Sequence, residues 1–118
     1  MEETLTIGDL AAQVAKFNAD RDWAQYHKPR NLAMSVSVEA GELLELFLWS
    51  RDDGPQPPIE SRNPKVREEV ADVAICLLNL CNRMDIDLGA AVIEKLKINA
   101  KRYPVEKAKG RMEKYGEL

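Results

Sequence analysis

Four acidic residues in two pairs, Glu39 with Glu42 and Glu69 with Asp72, stand inside the two most apolar stretches of a 118-residue chain. Each pair is spaced i, i+3, so on a helix both carboxylates leave from one face. Between Leu32 and Trp49 the only charged residues are Glu39, Glu42 and Glu45, and no Lys or Arg stands three or four positions from Glu39 or Glu42. Like charges this close repel, and burying them without partners is costly or forces protonation. The pattern calls for a cation between the carboxylates. Oxygen-only ligands suit a hard ion such as Mg²⁺, above all beside a phosphate-bearing substrate.

The plainer readings differ from pair to pair. Glu69 has Lys65 four residues before it and could form an ordinary surface ion pair. Glu39 and Glu42 have no such local partner, and their apolar surroundings leave little room for a solvated face. Lys65, Glu69, Asp72, Cys76 and Asn79 align along one helical face. Further on, Lys95, Asn99 and Arg102 share a face and could hold phosphate oxygens, although cations near a helix C-terminus also complement its dipole. Trp23 and Trp49 could stack on a nucleobase or simply pack into the core. His27 is the single histidine and a weaker candidate for substrate contact.

The elements that must position these groups are all helical. The spacing predicts a first helix after Thr6, with Asp9 completing a capping box and Ile7, Leu10, Ala11, Val14 and Phe17 facing inward. A connector from Asp20 to Arg30 holds Trp23, Tyr26 and His27. Pro29 opens a second helix running to about Trp49. The stretch from Ser50 to Asn63, rich in proline, is the main loop. Asn63 and Pro64 restart the chain as N-cap and N1 of a third helix reaching about Met84. Asp87 caps a fourth, closed by Pro104 after Tyr103. Residues 1–104 thus form the domain, and 105–118 read as a charged, loosely attached tail.

Bulk properties exclude several roles. A net charge of −3 gives no basic footprint for duplex nucleic acid or an anionic membrane. The opening Met1-Glu2-Glu3-Thr4 has no signal-peptide pattern, and the longest apolar stretch carries three glutamates, against a membrane span. Cys76 and Cys81 fall on different faces of one predicted helix, so they read as reduced thiols of a cytoplasmic protein. One histidine makes a zinc site of His and Cys improbable. The second and third helices are apolar over more than one stripe, which points to burial against a second copy of the chain.

Taken in order, these residues resemble the all-α nucleoside triphosphate pyrophosphohydrolases, the MazG-like superfamily, and in particular its small dCTP pyrophosphatase-type branch. The likeness runs from Arg21-Asp22-Trp23-Ala24-Gln25-Tyr26-His27 and Pro29-Arg30-Asn31-Leu32 through Glu39-Ala40-Gly41-Glu42 to Trp49. It continues over Glu68-Glu69-Val70-Ala71-Asp72-Val73, Ile86-Asp87-Leu88, Lys95, Asn99, Arg102-Tyr103-Pro104 and Lys114-Tyr115-Gly116-Glu117-Leu118. The family signature, E-x-x-E followed by E-x-x-D on the next helix, falls on Glu39, Glu42, Glu69 and Asp72.

The resemblance implies a four-helix-bundle-like protomer assembling as a dimer or a dimer of dimers. It implies Mg²⁺ held by the four carboxylates, and cleavage of a (deoxy)nucleoside triphosphate between its α- and β-phosphates. The favoured substrate is dCTP or a modified cytosine analogue. Glu39 or Glu42 is the candidate base. Lys95, Asn99 and Arg102 are candidates to contact substrate together with His27, while Trp23 and Trp49 match positions lining the base pocket. Two departures bear on base selectivity: Cys76 stands where a Tyr is expected, and Leu48 replaces a more usual polar residue. The rival is a non-catalytic helical interaction module whose acidic faces bind a basic partner. A ferritin-like di-metal protein requires Glu-x-x-His motifs that this chain lacks.

Overall fold

The computed structural model describes residues 4–50, 60 and 63–118, and no strand occurs among them. Five helices follow in order: α1 (Ile7–Asp20), α2 (Pro29–Glu45), α3 (Pro64–Arg83), α4 (Leu88–Arg102) and the single turn α5 (Val105–Ala108). Two short 3₁₀ turns, Ala24–Tyr26 and Tyr115–Glu117, complete the elements. The chain divides into two compact units, residues 1–86 and 87–118.

Side-chain caps set most of the helix starts. The Thr6 hydroxyl accepts from the Asp9 amide at 3.0 Å, and the Asp9 carboxylate accepts from the Thr6 amide at 2.9 Å. Those bonds to Thr6 hold the Asp9 carboxyl below its ordinary value. Asn63 Oδ1 accepts from the amides of Lys65 and Val66, with Pro64 in the first turn where its missing N–H costs nothing. Asp87 Oδ1 accepts from the Ala90 amide at 3.0 Å and opens α4.

The second helix ends at Glu45, four residues short of the expected Trp49. There the chain tightens: the amides of Leu46, Phe47 and Leu48 bond to carbonyls three residues back, at Leu43, Leu44 and Glu45. Apolar periodicity continues through this stretch and conceals the change of winding. The loop expected from Ser50 to Asn63 lies mostly outside the described residues.

In the first unit α3 packs against both α2 and α1. Leu32 of α2 and Leu78 and Cys81 of α3 are buried there. The α1–α3 seam carries polar ties as well. Asn18 hydrogen bonds to Asn79, and the Asn82 amide donates to the Ala11 carbonyl at 3.0 Å. Three residues expected to face inward on α1, namely Ile7, Leu10 and Phe17, are exposed on this single chain. So are Met34, Val38, Leu44, Val70 and Ile75 on α2 and α3.

In the second unit the terminal residues do not trail away from α4 as a loose tail. The Tyr115 ring meets Tyr103 edge-on at 5.9 Å and lies under the Arg102 guanidinium at 4.9 Å. An aromatic contact and a cation–π contact at one ring fix the turn around Pro104.

Candidate metal and nucleotide site

Glu39 of α2 meets Glu69 and Asp72 of α3, and one carboxylate oxygen from each lies within 4.8 Å of the others. Helical spacing places Glu69 and Asp72 on the α3 face turned to α2, and the packing of the two helices supplies the third ligand. Glu39 and Glu69 are half-buried, while Asp72 and Glu42 are exposed. Glu39 Oε2 and Glu69 Oε2 are each buried with no hydrogen-bond partner among the described residues.

The electrostatics follow from that crowding. Hydrogen bonding of protonated Glu39 to Glu42, then burial, then repulsion by Glu42, Asp72 and Glu69 push the Glu39 carboxyl up to about 7. Burial, followed by the charges of Glu42 and Asp72, raises Glu69 as well. Burial and the nearby Glu39 and Asp72 also push up the Cys76 thiol. Glu42 thus acts electrostatically on both glutamates from the edge of the three-residue cluster.

Orphaned carboxylate oxygens and raised proton affinity are what a cation site shows when only its protein ligands are considered. The donors are all carboxylate oxygens, a set that fits a hard divalent ion such as Mg²⁺. A groove of about 290 Å³ runs beside Glu39, lined also by Asn31, Met34, Ser35 and Val38.

The other sequence-predicted residues occupy different places. His27 lines a separate cavity with Asn18, Asn79 and Asn82. Trp23 packs edge-on against Phe17 at 5.7 Å, and Trp49 is 82% exposed. In the second unit Lys95 and Asn99 stand one turn apart on α4, Lys95 exposed and Asn99 half-buried, and Arg102 stacks on Tyr115. The buried Asn18 was missed by sequence reasoning. Its one signal is a polar side chain four residues after Val14, on the apolar side of α1.

Packed helices that present clustered carboxylates define the class: an all-α protein with a candidate acidic metal site. Residues 34–118 match the MazG-like family. The chain is 43% identical over 115 residues to the dCTP pyrophosphatase 1 of Homo sapiens, covering 96% of this chain and 68% of that protein. Its identity to the dCTP pyrophosphatase 1 of Rattus norvegicus is 44% over 117 residues, with the same coverage. A pyrophosphatase from Archaeoglobus fulgidus of known crystal structure superposes with a TM-score of 0.71 at 35% identity, covering 88% of this chain and 97% of that one. The chain belongs to the MazG-like family.

Proposed function

We propose that this chain hydrolyses dCTP, or a modified cytosine analogue, to the nucleoside monophosphate and pyrophosphate, with Mg²⁺ held by Glu39, Glu42, Glu69 and Asp72. The enzyme class rests on its family and relatives: it is a nucleoside triphosphate pyrophosphohydrolase. The observation that carries the metal assignment is the pair of buried, unpartnered oxygens on Glu39 and Glu69 inside a three-carboxylate cluster. A non-catalytic interaction module would hold its acidic faces in solvent, and both of these glutamates are half-buried.

When bound, Mg²⁺ neutralises charge on the polyphosphate and on the departing pyrophosphate. The protein supplies the rest. Glu39 or Glu42 takes the proton of the attacking water. Lys95 and Arg102 draw charge from the phosphates, with Asn99 as a hydrogen-bonding partner. Trp23 and Trp49 stack on the base, and His27 contacts the nucleoside.

The proposal includes self-assembly as a dimer or dimer of dimers. Exposed Met34, Val38, Leu44 and Ile75 leave α2 and α3 with apolar surface that a second copy would cover. It also takes residues 1–104 as the catalytic domain and 105–118 as a charged C-terminal tail, one that Tyr115 ties back to Arg102 and Tyr103. A cytoplasmic location is part of it, in keeping with two free cysteines and with no described helix long and apolar enough to cross a membrane. The test is pyrophosphate release from a panel of the deoxynucleoside and ribonucleoside triphosphates. The reading expects dCTP or its 5-modified analogue to give the highest kcat/KM; release from none of them would refute it.

A further inference from the structure

Lys101 and Arg102 both stand in the last turn of α4, and of the two it is Arg102 that an aromatic ring meets. Its guanidinium carbon lies 4.9 Å from the centre of the Tyr115 ring. The ion pairs among the described residues are Lys16–Asp20 and Arg111–Glu113, so no carboxylate there claims Arg102. The difference is chemical. A carboxylate would occupy the N–H fork of the guanidinium, which is the part that phosphate oxygens need. A ring attracts the charge and leaves that fork free.

The stretch after α4 is built to bring this ring back. α5 makes one turn, and the Arg111 amide then donates to the Ala108 carbonyl at 3.0 Å. Between them Gly110 adopts a φ of 77°, a conformation that side chains disfavour, and this lets the chain turn back toward α4. Glu113 is tied to Arg111 at 3.2 Å, which keeps that carboxylate off Arg102. Tyr115 opens the closing 3₁₀ turn, where the Glu117 amide donates to the Lys114 carbonyl at 2.8 Å. Tyr103 braces the ring from its other side. It caps α4, with its amide bonded to the Asn99 carbonyl at 2.8 Å, and meets Tyr115 edge-on.

We infer that Tyr115 is a positioning residue, whose ring holds the Arg102 guanidinium ready for the phosphate oxygens of the substrate. The inference rests on the proposed hydrolysis, in which Arg102 draws charge from the polyphosphate, and deepens it by naming what orders that side chain. A free arginine at a helix end gives up much rotamer freedom when it binds. Contact with the ring removes part of that freedom beforehand, so less is lost on binding. Arg102 shares a face of α4 with Lys95 and Asn99, so restraining it also sets its direction relative to those two. A purely structural Tyr115 would brace the turn at Pro104 whether or not residue 102 carried a cation.

Calorimetric titration with tripolyphosphate in the presence of Mg²⁺ tests this without requiring turnover. Tyr115→Phe keeps the ring. Replacing Tyr115 by pentafluorophenylalanine nearly keeps its shape but drains the negative face that attracts a cation. The phenylalanine variant should bind as the wild type does. The pentafluoro variant should bind roughly two- to fivefold more weakly, the range an exposed cation–π contact supplies. In an Arg102→Ala background the two should bind alike, because the coupled partner is gone. Equal affinities while Arg102 is present, the same loss in both backgrounds, or no tripolyphosphate binding by the wild type would overturn the inference. Parallel pyrophosphate assays with dCTP separate the two readings: tripolyphosphate affinity that depends on the ring through Arg102, in a protein inert toward dCTP, supports the positioning role and counts only against the proposed hydrolysis.

Discussion

Glu39 on α2 and Glu69 on α3 share one acidic cluster, and each keeps a buried Oε2 that no donor among the described residues reaches. Thirty residues separate them in sequence, so only the packing of the two helices makes them neighbours. Such a pair is unfavourable when both are ionised and nothing lies between them. The predictions below exploit that tension.

Neutral isosteres should separate chemistry from folding. Glu39→Gln, Glu42→Gln, Glu69→Gln and Asp72→Asn should each lower turnover by at least about a hundredfold, since each removes a charged ligand or the base. Far-ultraviolet circular dichroism should show the helices intact, and melting without divalent ions should be unchanged or raised for Glu39→Gln. Near-normal turnover in Glu42→Gln would remove it from the site.

The raised Glu39 carboxyl fixes the sign of two pH effects. Between its ordinary value of 4.5 and about 7 the folded state binds more protons at Glu39 than the unfolded state does. Stability of the metal-free protein therefore falls as pH rises through that window, with Glu69 acting in the same direction. Metal affinity moves oppositely: below about pH 7 the ion must displace a proton, so affinity should climb from pH 5.5 and level off above neutrality. Chemical denaturation with EDTA and calorimetry with Mn²⁺ or Mg²⁺ across that range check both slopes. Metal affinity independent of pH would contradict the assignment.

Self-association should be visible by light scattering. The exposed apolar residues of α2 and α3 predict a mass at least twice the 13.3 kDa of one chain at micromolar concentration. Charge introduced on that surface, as in Val38→Glu, should shift the mass downward. A single-chain mass throughout a dilution series would refute assembly.

The tryptophans should divide by environment. Trp49→Ala removes an exposed ring and should leave stability within about 0.5 kcal/mol, while Trp23→Ala also loses its edge-on contact with Phe17, worth about 0.5–1.5 kcal/mol. If both rings stack on the base, each variant should weaken nucleotide binding by about 1–3 kcal/mol. Melting curves and nucleotide titrations on the same samples distinguish the two effects. Unchanged affinity with lowered stability would make Trp23 purely structural.

Local signals carried much of the fold into the sequence. Thr6 with Asp9, Asn63 with Pro64, and Asp87 each mark a helix start because a cap needs only neighbours within three residues. The end of α2 was hidden because Leu46, Phe47 and Leu48 suit an α-helix and a tighter turn equally. Spacing exposed the acidic pairs, yet the closeness of Glu39 to Glu69 and Asp72, and the outlying place of Glu42, depend on helix packing. Asn18 and Asn79 stand 61 residues apart, and no local pattern announces their bond. Tyr115 looked like part of a charged tail because its aromatic partners lie 12 and 13 positions earlier.

Phosphorus NMR of dCTP incubated with the wild-type enzyme and Mg²⁺ tests the central claim most directly. Cleavage between the α- and β-phosphates, assisted by a cation on the acidic quartet, predicts one nucleoside monophosphate and one pyrophosphate per dCTP consumed, with turnover abolished by EDTA and in Glu39→Gln. Orthophosphate appearing with dCDP, or turnover indifferent to EDTA, would contradict it.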